Sequence, residues 1–281
     1  MSLIMISQGS YSKGEEIAEK VAEKLAYDCI SRHVIIEASK EFNVPEIKLV
    51  RAIHDAPSIL ERFTYGKQRY LGYLQVALLE RFQKDNVVYH GLAGHFFLKG
   101  VSHLLKVRII ADMEGRVKLK MERERISREQ AERILKNDDK ERRKWSKNLY
   151  GIDAGDPSLY DLVLHIKKIT VDDAVDIICH TVGLEHFQTT PESQQLIDDL
   201  LIAARVKAAL VNLKPDIEVS VNNGTISIET TIPLLQEGEL VNRMKETAKR
   251  ISNGKQIEVI AHPVVPGYPV NGTAYHSAID H

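Results

Sequence analysis

The chain has 281 residues, 43% of them hydrophobic and 27% charged, with a net charge of −1. Such a composition belongs to a globular chain of one large domain or two ordinary ones. It excludes a strong whole-molecule attraction for nucleic acid or for an acidic membrane surface, the basic residues clustering only locally in 116–147. Cys29 and Cys179 are far apart, which excludes a disulfide framework and a cysteine-rich zinc site; both read as buried thiols. The 11 histidines show no H-x-x-x-H or H-E-x-x-H spacing: His90 and His95 stand five apart, and His262, His276 and His281 lie in or beyond the last predicted strand. No metal site is expected. Residues 1–8 are too short for a signal core, and no run approaches the ~20 apolar residues that cross a bilayer, so a cytoplasmic, reducing setting is expected.

Along the chain, Leu3–Ile6 is an apolar run that fits a buried strand, followed by a Gly/Ser loop and then "EEIAEKVAEKLA". In that segment Ile17, Val21, Ala22 and Leu25 recur at helical spacing. Residues 34–54 read as two short helices broken near Asn43-Val44-Pro45, 57–67 as a loop, and 70–84 as an apolar helix. Segments 86–91 and 104–112 are strand-like, with a loop or short helix between them. Residues 113–145 are highly charged and helical, with a capping box at Ser127 and Gln130. A strand at 160–166 and a helix at 170–182 capped by Thr170 follow. Strands alternating with helices predict an α/β domain with a mostly parallel, three-layer sheet.

A turn-rich stretch at 183–193 marks a change of order. Beyond it come a helix at 193–211, strands at 217–222 and 225–232 joined by Asn222-Asn223-Gly224, a helix at 236–252 and a strand at 256–261. Asn-Gly between two alternating runs is a hairpin signal, and the unit is a small α+β domain of order αββαβ. The tail, with its prolines and glycines, is irregular.

The loop carries the chemistry. Gly9 and Gly14 are spaced as in G-x-x-x-x-G-K-[ST], the strand–loop–helix order is right, and a helix N-terminus favours anions. The next two residues are Glu15 and Glu16, where Lys and Ser or Thr belong, and Lys13 stands two places early. Carboxylates beside phosphates repel them. Ser12 and Glu15 also satisfy a capping box, so a plain capped helix competes with a phosphate loop.

Residues 1 to about 182 resemble the cytidylate kinase-like family of P-loop proteins. "ISQGSYSKGEEIA" lies without a gap over the family's I-S-R-x-x-G-S-G-G-R-E-I-A, and "NVVYHGLAGHFFL" over its V-I-V-G-R-x-A-x-x-x-L. "YDCISRHVIIEASKEFNV" keeps Arg32, the arginine-rich lid keeps Arg116 and the Asp139-Lys140-Glu141-Arg142 group, and "YDLVLHIKKITVDDAVDII" resembles the closing strand and helix. The resemblance implies that Gly9, Ser10, Ser12, Lys13 and Gly14 hold ATP phosphates. It also implies that Arg116 and Arg142 supply catalytic charge, possible partners being Arg123 and Arg143, with Lys13 as the one basic group of the loop itself, that Arg32 and Asp139 face a (d)CMP-like acceptor, and that ATP and Mg2+ serve as cofactors. Three departures touch this chemistry: the loop Arg is Glu15, a loop Gly is Lys13, and the Arg after the third strand is Leu92. The solvated helix face with i,i+4 Glu partners is the competing reading of the lid arginines.

Residues 193 to about 263 resemble a BON domain, a binding module without catalytic residues; a partner macromolecule or self-association is implied, and a plain α+β appendage is the alternative. The expected organisation is a kinase-like domain over 1–184, a linker over 185–192, a BON-like domain over 193–265 and an irregular tail over 266–281. Three functions stay open: a nucleoside monophosphate kinase-like enzyme, a degenerate Walker A nucleotide sensor coupled to the BON-like domain, and a scaffold.

Overall fold

The apolar run at the start forms β1 (Leu3–Gln8), with both faces buried along most of its length. A strand buried on both faces belongs at the centre of a sheet covered by helices above and below. The computed structural model describes residues 1–31, 33–43, 66–91, 94–233, 237–252 and 254–264, and the chain divides into two units, Met1–Leu201 and Ile202–His281.

In the first unit β1 is joined by β2 (Asp28–Ile30), β3 (Val87–His90), β4 (Leu104–Ala111) and β5 (Leu162–Ile166). All pairs are parallel, in the order β2-β3-β1-β4-β5. Among the described residues its α-helices are α1 (Gly14–Leu25), α2 (His33–Glu41), α3 (Gly66–Phe82), α4 (Met113–Glu124), α5 (Arg128–Tyr150), α6 (Val171–Val182) and α7 (Pro191–Leu210), and α8 (Glu237–Lys249) belongs to the second unit. The unit boundary falls inside α7.

Periodicity sets the core. Ile17, Ala18, Val21 and Ala22 of α1 meet Ala174, Val175, Ile178 and Val182 of α6 over Ile4, Ile6, Val88, Leu105, Val107 and Ile109 of the sheet. Burying one such Ile contributes about 2 kcal/mol. The ion pairs along the rim, Lys20–Asp172 at 2.8 Å among them, are exposed and contribute little. The charged stretch 113–145 forms two helices rather than one. The chain turns at Arg125, with φ 55°, and restarts where Ser127 and Gln130 complete their reciprocal capping box. Val117, Ala131 and Leu135 hold that helix pair together, and Tyr11 from the loop packs against them. Thr170 caps α6 with Asp173 in the same reciprocal way.

Boundaries moved where end effects compete with periodicity. Gly66 and Lys67, expected in a loop, begin α3, and Tyr160 and Asp161, expected in a strand, precede β5. The second short helix after Pro45, the loop over 57–65, Arg32, Leu92 and the tail beyond 264 lie outside the described residues.

The second unit has a separate sheet of β6 (Glu218–Asn222), β7 (Thr225–Pro233) and β8 (Gln256–Val264), antiparallel and then parallel. Asn223 and Gly224 turn the hairpin at φ 49° and 80°, the two positive values a type I′ turn needs. Ile226, Ile228, Ile232, Met244 and Ala248 fill its core. Among the described residues no helix is long and apolar enough to cross a membrane.

Candidate functional site

The carboxyl ends of β1, β2 and β3 open on a cavity of about 840 Å³, lined there by Gln8, Gly9, Ser31, His90 and Gly91. The loop between β1 and α1 forms its rim. Of the two loop glycines Gly9 and Gly14, only Gly14 is demanded sterically: a Cβ there would lie 2.6 Å from the Gln8 Cβ. At Gly9 the nearest atom would be the Arg116 guanidinium carbon at 3.7 Å, an ordinary contact.

The left-handed positions of the loop are Tyr11 (φ 60°) and Lys13 (φ 67°). Both are glycine in the family pattern over which this stretch lies. For side-chain-bearing residues that conformation costs about 1–2 kcal/mol each. Strain of this kind persists only where surrounding contacts over-determine it. Here they do. The Tyr11 phenol donates to Glu124, the Lys120 ammonium lies 4.6 Å from the Tyr11 ring centre, and Lys120 donates to Glu124 at 2.7 Å. The bond to Glu124, with burial, raises the Tyr11 phenol above its usual 10.0, while Lys120 first and Tyr11 second hold the Glu124 carboxyl below its usual value. Replacing Lys13 by glycine is expected to stabilise the fold by roughly 0.5 kcal/mol, the strain relief less the added unfolded-chain entropy. Urea denaturation measures it, and a destabilised variant would refute the strain.

The capping box expected at Ser12 and Glu15 does not form. Ser12 Oγ donates to the Gly9 carbonyl at 2.8 Å, turned back into the loop, and Lys13 is the residue at the helix start. No side chain caps α1. The amides of its first turn therefore keep the anion-binding character of an open helix end. Lys13, Glu15, Glu16 and Glu19 all line the cavity and all are exposed. Glu16 has Lys20 at 3.9 Å, whereas Glu15 has no ion-pair partner among the described residues.

The lid arginines are brought to the loop, and Arg116 uses all three of its nitrogens on protein acceptors. Arg116 is buried; its Nε donates to the Ser10 carbonyl at 2.8 Å, and its two terminal nitrogens donate to both Asp139 oxygens at 2.8 and 2.7 Å. Arg142 donates to the Gln8 carbonyl at 2.7 Å, and burial pulls its guanidinium down from its usual range without discharging it. Arg123 lines the cavity and is exposed; Arg143 borders a second space of about 190 Å³ behind the loop.

That second space contains a residue the sequence reading passed over. Arg108 of β4 donates to Ser7 Oγ at 3.3 Å and lies 5.5 Å from the Tyr160 ring centre. The Tyr160 hydroxyl sits 2.9 Å from the Ala154 carbonyl, which can only accept, so its contact with Ser7 Oγ at 3.1 Å is donated by the serine. An arginine inside a buried parallel strand was the available signal. His90, also passed over except as a metal ligand, is 8% exposed at the end of β3.

A parallel α/β sheet with a glycine-bounded loop leading from its central strand into an uncapped helix, under an arginine-bearing helical lid, defines a kinase-like nucleotide fold. The chain belongs to the cytidylate kinase-like family, whose sequence model matches residues 3–168. A cytidylate kinase of Methanosarcina acetivorans is 36% identical over 98 residues, 34% of this chain, which spans about half (53%) of that relative's length. A cytidylate kinase of Sulfolobus acidocaldarius is 25% identical over 188 residues, 66% of this chain and 97% of that protein. Among solved structures, an uncharacterized protein from Eubacterium ventriosum aligns at 20% identity over 65% of this chain and 98% of its own, with a TM-score of 0.50, a likeness of fold alone.

Proposed function

We propose that the kinase-like domain binds a nucleoside triphosphate with its phosphates on the loop Gly9–Gly14, through the amides of the first turn of α1 and the Lys13 ammonium. The observation that carries this reading is the loop itself, which keeps two left-handed residues without glycine and leaves its helix end uncapped. A loop serving only to start a helix has no reason to hold that strain. Arg116 and Arg142 fix the loop carbonyls at Ser10 and Gln8 and lend it their charge.

Phosphoryl transfer from ATP is the enzymatic form of this reading, and its main physical demand is positioning with charge neutralisation. In that form Lys13 carries the neutralising charge on the β- and γ-phosphates and the two lid arginines keep the loop in register. Magnesium bound with the nucleotide would supply further positive charge at the phosphates. Glu16 offers it a carboxylate oxygen, the ligand type it prefers, and is the family residue at this place. Among the described residues no ready-made group of three or more His, Cys, Asp or Glu is present. Arg32 and Asp139 are proposed as acceptor-side residues; Asp139 spends both oxygens on Arg116.

A second reading, a catalytically degenerate nucleotide sensor, is favoured by Glu15, a carboxylate without an ion-pair partner among the described residues, where the family has arginine. In it the second unit, read as a BON-like module from its αββαβ order, reports the bound nucleotide to a macromolecule or to a second copy of the chain.

Thermal shift against ATP and ADP with magnesium tests the binding. Glu15→Lys is expected to tighten ATP roughly tenfold, with the gain shrinking as salt rises. No stabilisation by any nucleotide would sink both readings. ATP turnover at ordinary kinase rates would sink the sensor.

A further inference from the structure

Part of the cavity lining is built differently from the loop rim. Leu71, Leu74 and Leu78 of α3, with Val34 and Phe97, form an apolar wall. The same cavity is lined by polar groups of an unexpected kind. Glu15 and Glu19 are one turn apart on the same side of α1, and both line the cavity. Both act electrostatically on His90, at the end of β3. His90 is 8% exposed, borders the same space, and its ring has no hydrogen-bond partner among the described residues. Its nitrogens are not among the fully buried polar atoms left without a partner, so they are open to the cavity and to a ligand in it.

We propose that this half of the cavity takes an uncharged, hydroxyl-rich acceptor of nucleoside class, carrying no phosphate, held by Glu15, Glu19 and His90. The proposal rests on the reading that the loop holds the phosphates of the donor nucleotide. Carboxylates are acceptors only, and they suit the hydroxyls of a sugar and the amino group of a base. The apolar wall suits the faces of a planar ring. A phosphate finds the opposite of what it needs. Glu15 and Glu19 both line the cavity, and a phosphate placed beside their carboxylates is repelled. Burial holds the His90 imidazole below its usual 6.5 despite the two glutamates, so near neutral pH it offers one donor and one acceptor rather than a charge. Against the family pattern, glutamate stands for arginine at 15 and histidine for valine at 90. Both changes remove affinity for an anion or add a neutral hydrogen-bonding group.

The test is a calorimetric titration of the full chain, saturated with a non-hydrolysable ATP analogue, with the four ribonucleosides and their 5′-monophosphates. At least one nucleoside is expected to bind ten or more times tighter than its monophosphate. Glu15→Gln/Glu19→Gln should shrink that ratio about tenfold, and His90→Phe should abolish nucleoside binding while leaving the affinity for the analogue intact. Equal or tighter binding of the monophosphate, no nucleoside binding, or a ratio unmoved by the double variant would each overturn the proposal. Failure of the analogue itself to bind counts against the donor-site reading; the same comparison on the free chain then decides this one.

Discussion

Truncating Phe82 to alanine is expected to lower stability by about 4 kcal/mol. Phe82 ends α3 and is 1% exposed, one of the largest fully buried side chains among the described residues. Its ring meets Tyr89 edge-on, with centroids 6.1 Å apart at 89°. The loss combines transfer of a large apolar group, the cavity left behind and one aromatic pair worth about 1 kcal/mol. Phe82→Leu, which refills most of the volume, should cost about 1.5 kcal/mol. The consequence reaches the site because Tyr89 lines the cavity and its ring fills the space above two glycines. A Cβ would come within 2.5 Å of its hydroxyl at Gly91 and 2.6 Å of its ring at Gly94. Loosening Tyr89 therefore loosens the wall next to His90, and ligand-induced thermal shifts should shrink in the alanine variant. Denaturant unfolding measures the first effect. A loss below about 1 kcal/mol would mean the site collapses around the missing ring.

The parts of this molecule that could be read from sequence are those set by neighbours in the chain. Leu3–Ile6 and the 3.6-residue spacing of Ile17, Val21 and Ala22 announce a buried strand and the helix packed on it. Ser127 with Gln130 marks the break in the lid, and Asn223-Gly224 fixes a hairpin register through two positive φ angles. The site was less legible because its geometry depends on contacts across more than a hundred residues. Tyr11 reaches Glu124, Arg116 reaches Ser10 and Arg142 reaches Gln8. Nothing local makes Tyr11 and Lys13 left-handed; their residue types argue the other way, and at Tyr11 contacts with the lid hold the conformation. The Ser12–Glu15 pattern misled for the same reason. It is chemically a capping box, yet the loop turns Ser12 back onto Gly9, and only tertiary contacts select that turn. Arg108 stood in plain view as a charge inside an apolar strand, but its partner Tyr160 is 52 residues away.

Asp139→Ala and Arg116→Ala should separate stability from binding at the lid. The Arg116 side chain is 9% exposed and is held bidentately by Asp139, which is 33% exposed. Removing the carboxylate leaves a buried guanidinium uncompensated, a defect of about 3–5 kcal/mol in fully enclosed pairs. Water reaches this pair from the Asp139 side, so about 3 kcal/mol is expected here. Arg116 still keeps its charge beside the loop and its bond to Ser10, so ATP-analogue affinity should change less than threefold. Arg116→Ala reverses the balance. Asp139 is left without its partner but can hydrate, so the stability loss is smaller, about 1–2 kcal/mol. The loop loses the guanidinium packed against Gly9 and bonded to Ser10, and affinity should fall roughly tenfold. Denaturant unfolding and calorimetry on both variants read the two quantities separately. If Asp139→Ala proved the more damaging to ligand affinity, Asp139 would be acting on the ligand directly, and the assignment of Arg116 as the clamp of the phosphate loop would fail.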